Sequence, residues 1–158
     1  LIMVGLQPEN WLYTKETVLG ALIVKSFWNI GVPMVIYLAA LQGMPQALYE
    51  AAEIDGAGET TKFTSITLPM LSPAIFFNVV IAIISGVQTF AEPYVMTKGG
   101  PENATLFLGL SLYQTAFSFL QMGYASAMAW IMFVIIFVLT IVQFTLAGRW
   151  VYYESEGR

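Results

Sequence analysis

Residues 70–91 and 124–147 each run for more than twenty positions without one charged side chain. A helix that is apolar all round belongs in a large core or across a bilayer, because it offers water no face. A chain of 158 residues could bury one globular core, but its apolar residues come in long blocks rather than at amphipathic spacing. A third block, 18–41, is as long and carries one charge, Lys25. A helix of that length reaches about 36 Å at ~1.5 Å per residue, enough to cross the hydrocarbon layer. Only 10% of the residues are charged and 58% are hydrophobic, whereas about a quarter are charged in soluble domains. The sequence predicts an all-α membrane protein with three transmembrane helices, 18–41, 70–91 and 124–147.

The rest reads as connections. Residues 106–120 are also apolar, but as a helix they reach only ~22 Å. They carry Ser111, Gln114, Thr115 and Ser118, which predicts an interfacial or re-entrant segment within an outer loop region of 92–120. Pro33 predicts a kink inside the first span, and Pro69 and Pro73 bracket a sharp start to the second. An odd number of spans puts the two ends on opposite sides. Lys62, Arg149 and Arg158 then stand against Lys15, Lys98 and Lys25, so positive charge does not choose the orientation.

Whole classes of chemistry are absent. Without Cys or His there are no disulfides, thiolates or imidazole bases, and no metal site is expected. A net charge of −4 gives no footprint for nucleic acid. The opening Leu1, with no charged leader region, predicts a piece of a longer chain.

Polar groups at membrane depth are costly and mark functional candidates. Ser85, Gln88, Thr89 and Glu92 fall at helical i, i+3, i+4, i+7 spacing and are expected to share one face. Such a row either lines a pathway for hydroxylated substrates or bonds neighbouring helices together. Lys25, Trp28, Asn29 and Val32 form a second row, in which Trp28 can stack on a sugar ring and Asn29 can bond its hydroxyls. Lys25 either contacts substrate or, as the favoured reading, snorkels to the interface. Asn78 and Gln143 lie apart from both rows and read as bonds between helices.

Between the first two spans lies an acidic island, 45–69, with Glu50, Glu53, Asp55 and Glu59 against one base, Lys62. Gln46 to Ile54 lacks Gly and Pro and predicts a short helix; Asp55-Gly56-Ala57-Gly58 breaks it; a second helix leads back toward Pro69. Small side chains at Ala47, Ala51, Ala52 and Ala57 would let another backbone come close. On physical grounds alone the island is either a docking surface or a solvated loop. The residues also carry a resemblance. Glu50-Ala51-Ala52, then Gly56, then Ile66-Thr67-Leu68-Pro69 resembles the EAA motif of ABC importer permeases at every fixed position. "LYEAAEIDGAG", "FAEPYVMTKGGPENAT" and "MGYASAMAW" are similar to the carbohydrate branch, of maltose and glycerol-phosphate type.

That resemblance implies the C-terminal part of one permease domain of about six helices, multi-pass in the cytoplasmic membrane of a prokaryote. It implies that the island is a cytoplasmic coupling loop in which Glu50, Ala51, Ala52, Asp55 and Gly56 engage an ATP-binding subunit. It further implies a second permease subunit, an extracytoplasmic solute-binding protein and a sugar or polyol substrate, with lipid around the spans. Trp28, Asn29, Ser85, Gln88 and Thr89 would lie along the substrate pathway. ATP and magnesium would be bound by the ATPase, leaving no cofactor and no catalysis to this chain. An intramembrane enzyme finds no support, since there is no acid pair at membrane depth and no Gly-x-Ser-x-Gly elbow. A bare structural anchor would leave the island and the polar rows unexplained.

Overall fold

Proline offers no N–H to the carbonyl four residues before it, so a helix containing one must tighten, change register or stop. The computed structural model, which describes residues 10–148 and 150–152, shows each of these outcomes. Three helices are long and apolar enough to cross a membrane, Lys15–Gln42, Glu59–Val87 and Met122–Ala147, and no strand occurs among the described residues. The first is not uniform. Helix α1 (Lys15–Ser26) passes through a 3₁₀ turn (Phe27–Ile30) into α2 (Gly31–Gln42). The tight turn contains Asn29, the residue whose carbonyl Pro33 leaves unserved.

The island forms α3 (Gln46–Ile54) and α4 (Glu59–Lys62). A π turn (Phe63–Thr67) follows, centred on Ser65, four residues before Pro69. Helix α5 (Leu68–Val87) carries Pro73 in its interior. The helix expected over 70–91 therefore ends at Val87, and residues 88–90 are not helical. Pro93 accounts for this stop, because it cannot bond the Thr89 carbonyl; it sits instead in the first turn of α6 (Ala91–Met96), where no N–H is needed. The apolar run 106–120 is a short helix α7 (Leu108–Tyr113) that widens into a π turn (Gln114–Ser118). Helix α8 (Met122–Ala147) is the last helix among the described residues.

Two compact units are distinguished, one from residues up to Asn29 with Ser85–Ile136, the other from Ile30–Ile84 with residues from Phe137 on. In the first, Phe90, Tyr94, Tyr113 and Phe117 form a chain of ring contacts with centroids 4.9–5.3 Å apart, which holds α6 against α7. Gly109 of α7 packs onto the non-helical stretch: a Cβ there would meet the Thr89 carbonyl oxygen at 3.0 Å and that of Gln88 at 3.3 Å. The loop after α6 is closed by a 2.6 Å hydrogen bond between the Thr97 and Thr105 hydroxyls, with Thr105 fully buried. Lys15 donates to Glu102 of that loop at 3.0 Å.

In the second unit, Phe76, Ala147 and Val151 form the buried core, with Val80 against them. Phe76 meets Phe144 and Trp150 edge-on at 5.1 and 6.1 Å. The Ser72 hydroxyl repairs the proline in α5. It donates to the Pro69 carbonyl, the one Pro73 leaves free, at 2.6 Å, and accepts the Tyr152 N–H at 2.8 Å. Asn78 donates to the Ala74 carbonyl of its own helix at 3.1 Å. The Gln143 amide is buried and has no hydrogen-bond partner among the described residues.

Ser72→Ala should leave a carbonyl and an N–H without their partner, at a cost of about 1–3 kcal/mol for buried groups. The expected result is faster hydrogen exchange across 150–152 in the purified protein, with little change elsewhere. Unaltered exchange there would show that the Ser72 hydroxyl does not hold this segment.

Candidate functional site

Two prolines shape a largely apolar cavity of ≈ 530 Å³, with polar groups set into its wall, within the first unit. Lys25 and Asn29 reach it from the end of α1 and the 3₁₀ turn; Ser85, Thr89 and Glu92 reach it from the end of α5, the non-helical stretch and α6. Leu22, Ile23 and Phe107 supply apolar wall. Each broken segment thus presents a polar residue four positions before a proline: Asn29 before Pro33, and Thr89 before Pro93. Broken helices are tolerated at membrane depth where they line a cavity, and there they hold substrate or ion sites.

The charges in this cavity are paired. Lys25 Nζ donates to Glu92 Oε1 at 2.7 Å, with each side chain about one third exposed (35% and 32%). The Lys25 hydrogen bond is the main cause that holds the Glu92 carboxyl below the usual carboxylate range. Thr89 turns its hydroxyl to the Ser85 carbonyl at 3.1 Å, capping the end of α5.

The expected rows are therefore regrouped. Ser85, Gln88, Thr89 and Glu92 do not lie on one continuous helix, because α5 stops at Val87. Asn29, Ser85 and Thr89 are brought together, whereas Gln88 is exposed and lies off the cavity. Trp28 is 88% exposed and does not line it either. Lys25 turns to Glu92. Sequence reasoning had passed over that pairing, though the signal was present. A lysine inside a span calls for a counter-charge, and Glu92 is the first acid after the second apolar block.

The island is built to keep α3 in place. Helix α3 ends in a reciprocal pair of backbone bonds, Gly56 N–H to Glu53 at 3.0 Å and Ala57 N–H to Ala52 at 2.9 Å. Gly56 sits at φ +75° to allow them. Lys62, almost fully buried, donates to Glu53 at 2.6 Å and to Glu59 at 3.0 Å, tying α3 to α4. Its hydrogen bond, and then its charge, lower the Glu53 pKa. A carboxyl that titrates lower when folded stabilises at neutral pH, and that contribution is lost as pH falls through its depressed value. Glu53 and Glu92 both follow this sign. The Tyr49 hydroxyl meets that of Thr67 at 2.8 Å, fixing α3 to the π turn. Ala52 is half-buried toward these bonds. Ala47, Glu50, Ala51 and Ile54 are exposed at i, i+3, i+4, i+7, with Ile54 at 87% exposure. Asp55 and Gly56 are exposed at the turn, and neither Glu50 nor Asp55 makes a side-chain bond among the described residues.

Residues 1–152 match the family described as binding-protein-dependent transport system inner membrane component. The chain belongs to that family, and its apolar helices make it a multi-pass membrane chain. It is 45% identical to the probable ABC transporter permease protein YesP of Bacillus subtilis, over 99% of this chain and 52% of that protein. It is 35% identical to the arabinooligosaccharides transport system permease protein AraP of Bacillus subtilis, over 99% of this chain and 50% of that one. Identity to the sulfoquinovosyl glycerol transport system permease protein SmoG of Agrobacterium fabrum is 38%, over 87% and 45% respectively. The chain spans about half the length of the curated relatives it matches.

The turn gives a direct test of the island. At φ +75° a branched side chain is strained by about 1–2 kcal/mol, whereas Asn tolerates this region. Gly56→Val should make the island markedly more sensitive to protease in the purified protein, and Gly56→Asn should stay close to wild type. Equal resistance of all three would mean that the turn does not depend on this conformation.

Proposed function

We propose that this chain is the C-terminal part of a permease subunit of a binding-protein-dependent ABC importer for sugars. The observation that carries the reading is the meeting of two proline-broken segments at one cavity, where Asn29, Ser85 and Thr89 set polar groups into a largely apolar wall. Hydroxyl and amide groups beside apolar wall suit a sugar, which needs directed hydrogen bonds on its edges and apolar contact on its ring faces. The names of relatives that transport arabinooligosaccharides and a sulfoquinovosyl glycerol support a carbohydrate.

In this reading the island faces the cytoplasm and docks the exposed stripe of α3, with Glu50, Ala51 and Ile54, into an ATP-binding subunit. Asp55 and Gly56 form the turn beside that interface. ATP and magnesium reside on that subunit, so this chain catalyses nothing. A second permease subunit, most simply a homologue, completes the pathway, and a solute-binding protein delivers the sugar from outside. The mechanism follows from the bonds in the island. Closure of the ATPase would move α3, and Lys62 and Tyr49 would carry that motion through α4 and the π turn to α5, the helix that bears Ser85.

Thr89→Val and Asn29→Ala test the cavity in the full-length permease. Each removes one hydrogen-bonding group worth roughly 0.5–1.5 kcal/mol. Apparent affinity for the transported sugar should weaken about two- to tenfold, while association with the ATPase subunit is unchanged. Normal uptake by both variants would mean that the cavity is not on the pathway.

A further inference from the structure

The pairing of Lys25 with Glu92 does more than neutralise two half-buried charges, because the pair faces the cavity rather than being enclosed behind it. Lys25 uses one N–H on Glu92 Oε1, and an ammonium has two more to give. Glu92 is also approached by its own backbone N–H and by the Asn29 side chain, and a carboxylate has about four acceptor sites, so it retains capacity for a further donor. Lys25 and Glu92 are the titratable groups in the lining, so the cavity is net neutral yet presents a strong donor beside a strong acceptor. Two adjacent hydroxyls of an uncharged sugar match that array, one accepting from Lys25 and the other donating to Glu92. An acidic sugar does not match it. An anionic group that takes a free Lys25 N–H must lie against the Glu92 carboxylate, and the two negative charges repel. We infer that the Lys25–Glu92 pair is the specificity element of the cavity, a bipolar clamp that takes vicinal hydroxyls of uncharged sugars and turns away acidic ones. This inference rests on the sugar-binding reading of the cavity.

The test is equilibrium binding to the full-length permease, purified with its partner subunits in lipid nanodiscs and without binding protein, so that delivery does not impose its own selectivity. The probes are lactose and arabinotriose as neutral sugars and digalacturonate as the acidic one. Wild type should bind at least one neutral probe tenfold or more tighter than digalacturonate. Glu92→Gln, which frees Lys25, should reverse that ratio. The exchanged pair, Lys25→Glu with Glu92→Lys, keeps donor and acceptor together and should restore the neutral preference. An unchanged ratio in Glu92→Gln, or a wild type that prefers digalacturonate, would overturn the clamp and leave the cavity reading standing. If wild type binds none of the three, the cavity reading itself falls, and the clamp with it. Should Glu92→Gln fail to assemble, Glu92→Asp is scored instead. It should lose affinity for the neutral probe without gaining any for digalacturonate, and unchanged neutral affinity would again overturn the clamp.

Discussion

Inside a bilayer, a peptide group released from its helix has no water to turn to, and each unpaired group costs several kcal/mol. This constraint governs where the chain is allowed to bend. Four prolines each deprive a carbonyl four residues upstream: Asn29, Ser65, Pro69 and Thr89. Two of the resulting problems are solved locally. The Ser72 hydroxyl serves the Pro69 carbonyl, and the backbone around Ser65 shifts into a π turn. The other two fall at Asn29 and Thr89, where the backbone tightens or leaves the helix and the side chains line a cavity. A charged pair can survive beside them because polar backbone and hydroxyl groups are already gathered there.

The island obeys a different physics. Its helix is short, and isolated helices of that size are unstable in water, so α3 depends on what it is tied to. The glycine turn and the bonds from Lys62 and Tyr49 supply those ties, all from the side away from Ala47, Glu50, Ala51 and Ile54. The result is a surface stripe held firm from behind. Small residues on that stripe leave room for another backbone, and an Ile54 so exposed has apolar surface to lose on docking. The question raised by an acidic cluster in an oily chain thus has a mechanical answer: Glu53 and Glu59 fasten the island through Lys62, while Glu50 and Asp55 are left unengaged at its outer surface.

Much of the architecture was legible from composition. Three apolar blocks gave three helices of membrane length, and the Asp55-Gly56-Ala57-Gly58 run gave the turn between α3 and α4. What escaped was long-range or came from a proline just beyond an apolar block. The second block shows no charge before Glu92, so hydropathy carried the helix to residue 91, whereas Pro93 stops it at Val87 by acting on Thr89. That stop rotates Gln88 away from the residues it was grouped with. Trp28 left its row for a similar reason, since a 3₁₀ turn does not keep the 3.6-residue period on which the row was drawn. Gly109 was invisible because a glycine in an apolar run announces nothing until a carbonyl is seen to press on it. The Lys25–Glu92 pair spans 67 positions and could be reached only by asking where a lysine within an apolar span finds its anion.

If the chain is part of an importer as proposed, the cavity lined by Asn29, Ser85 and Thr89 lies on the sugar pathway and its access changes with the ATPase cycle. A single cysteine at Ser85, in a chain with no native Cys, reports on it in intact cells. An impermeant thiol reagent added outside should label Ser85→Cys in one state of the ATPase cycle and not in the other. Saturating sugar should slow the reaction, and Thr60→Cys on the island should stay unlabelled throughout. Labelling of Ser85→Cys that is absent in every state, or unaffected by nucleotide and sugar, would contradict the account. So would external labelling of Thr60→Cys.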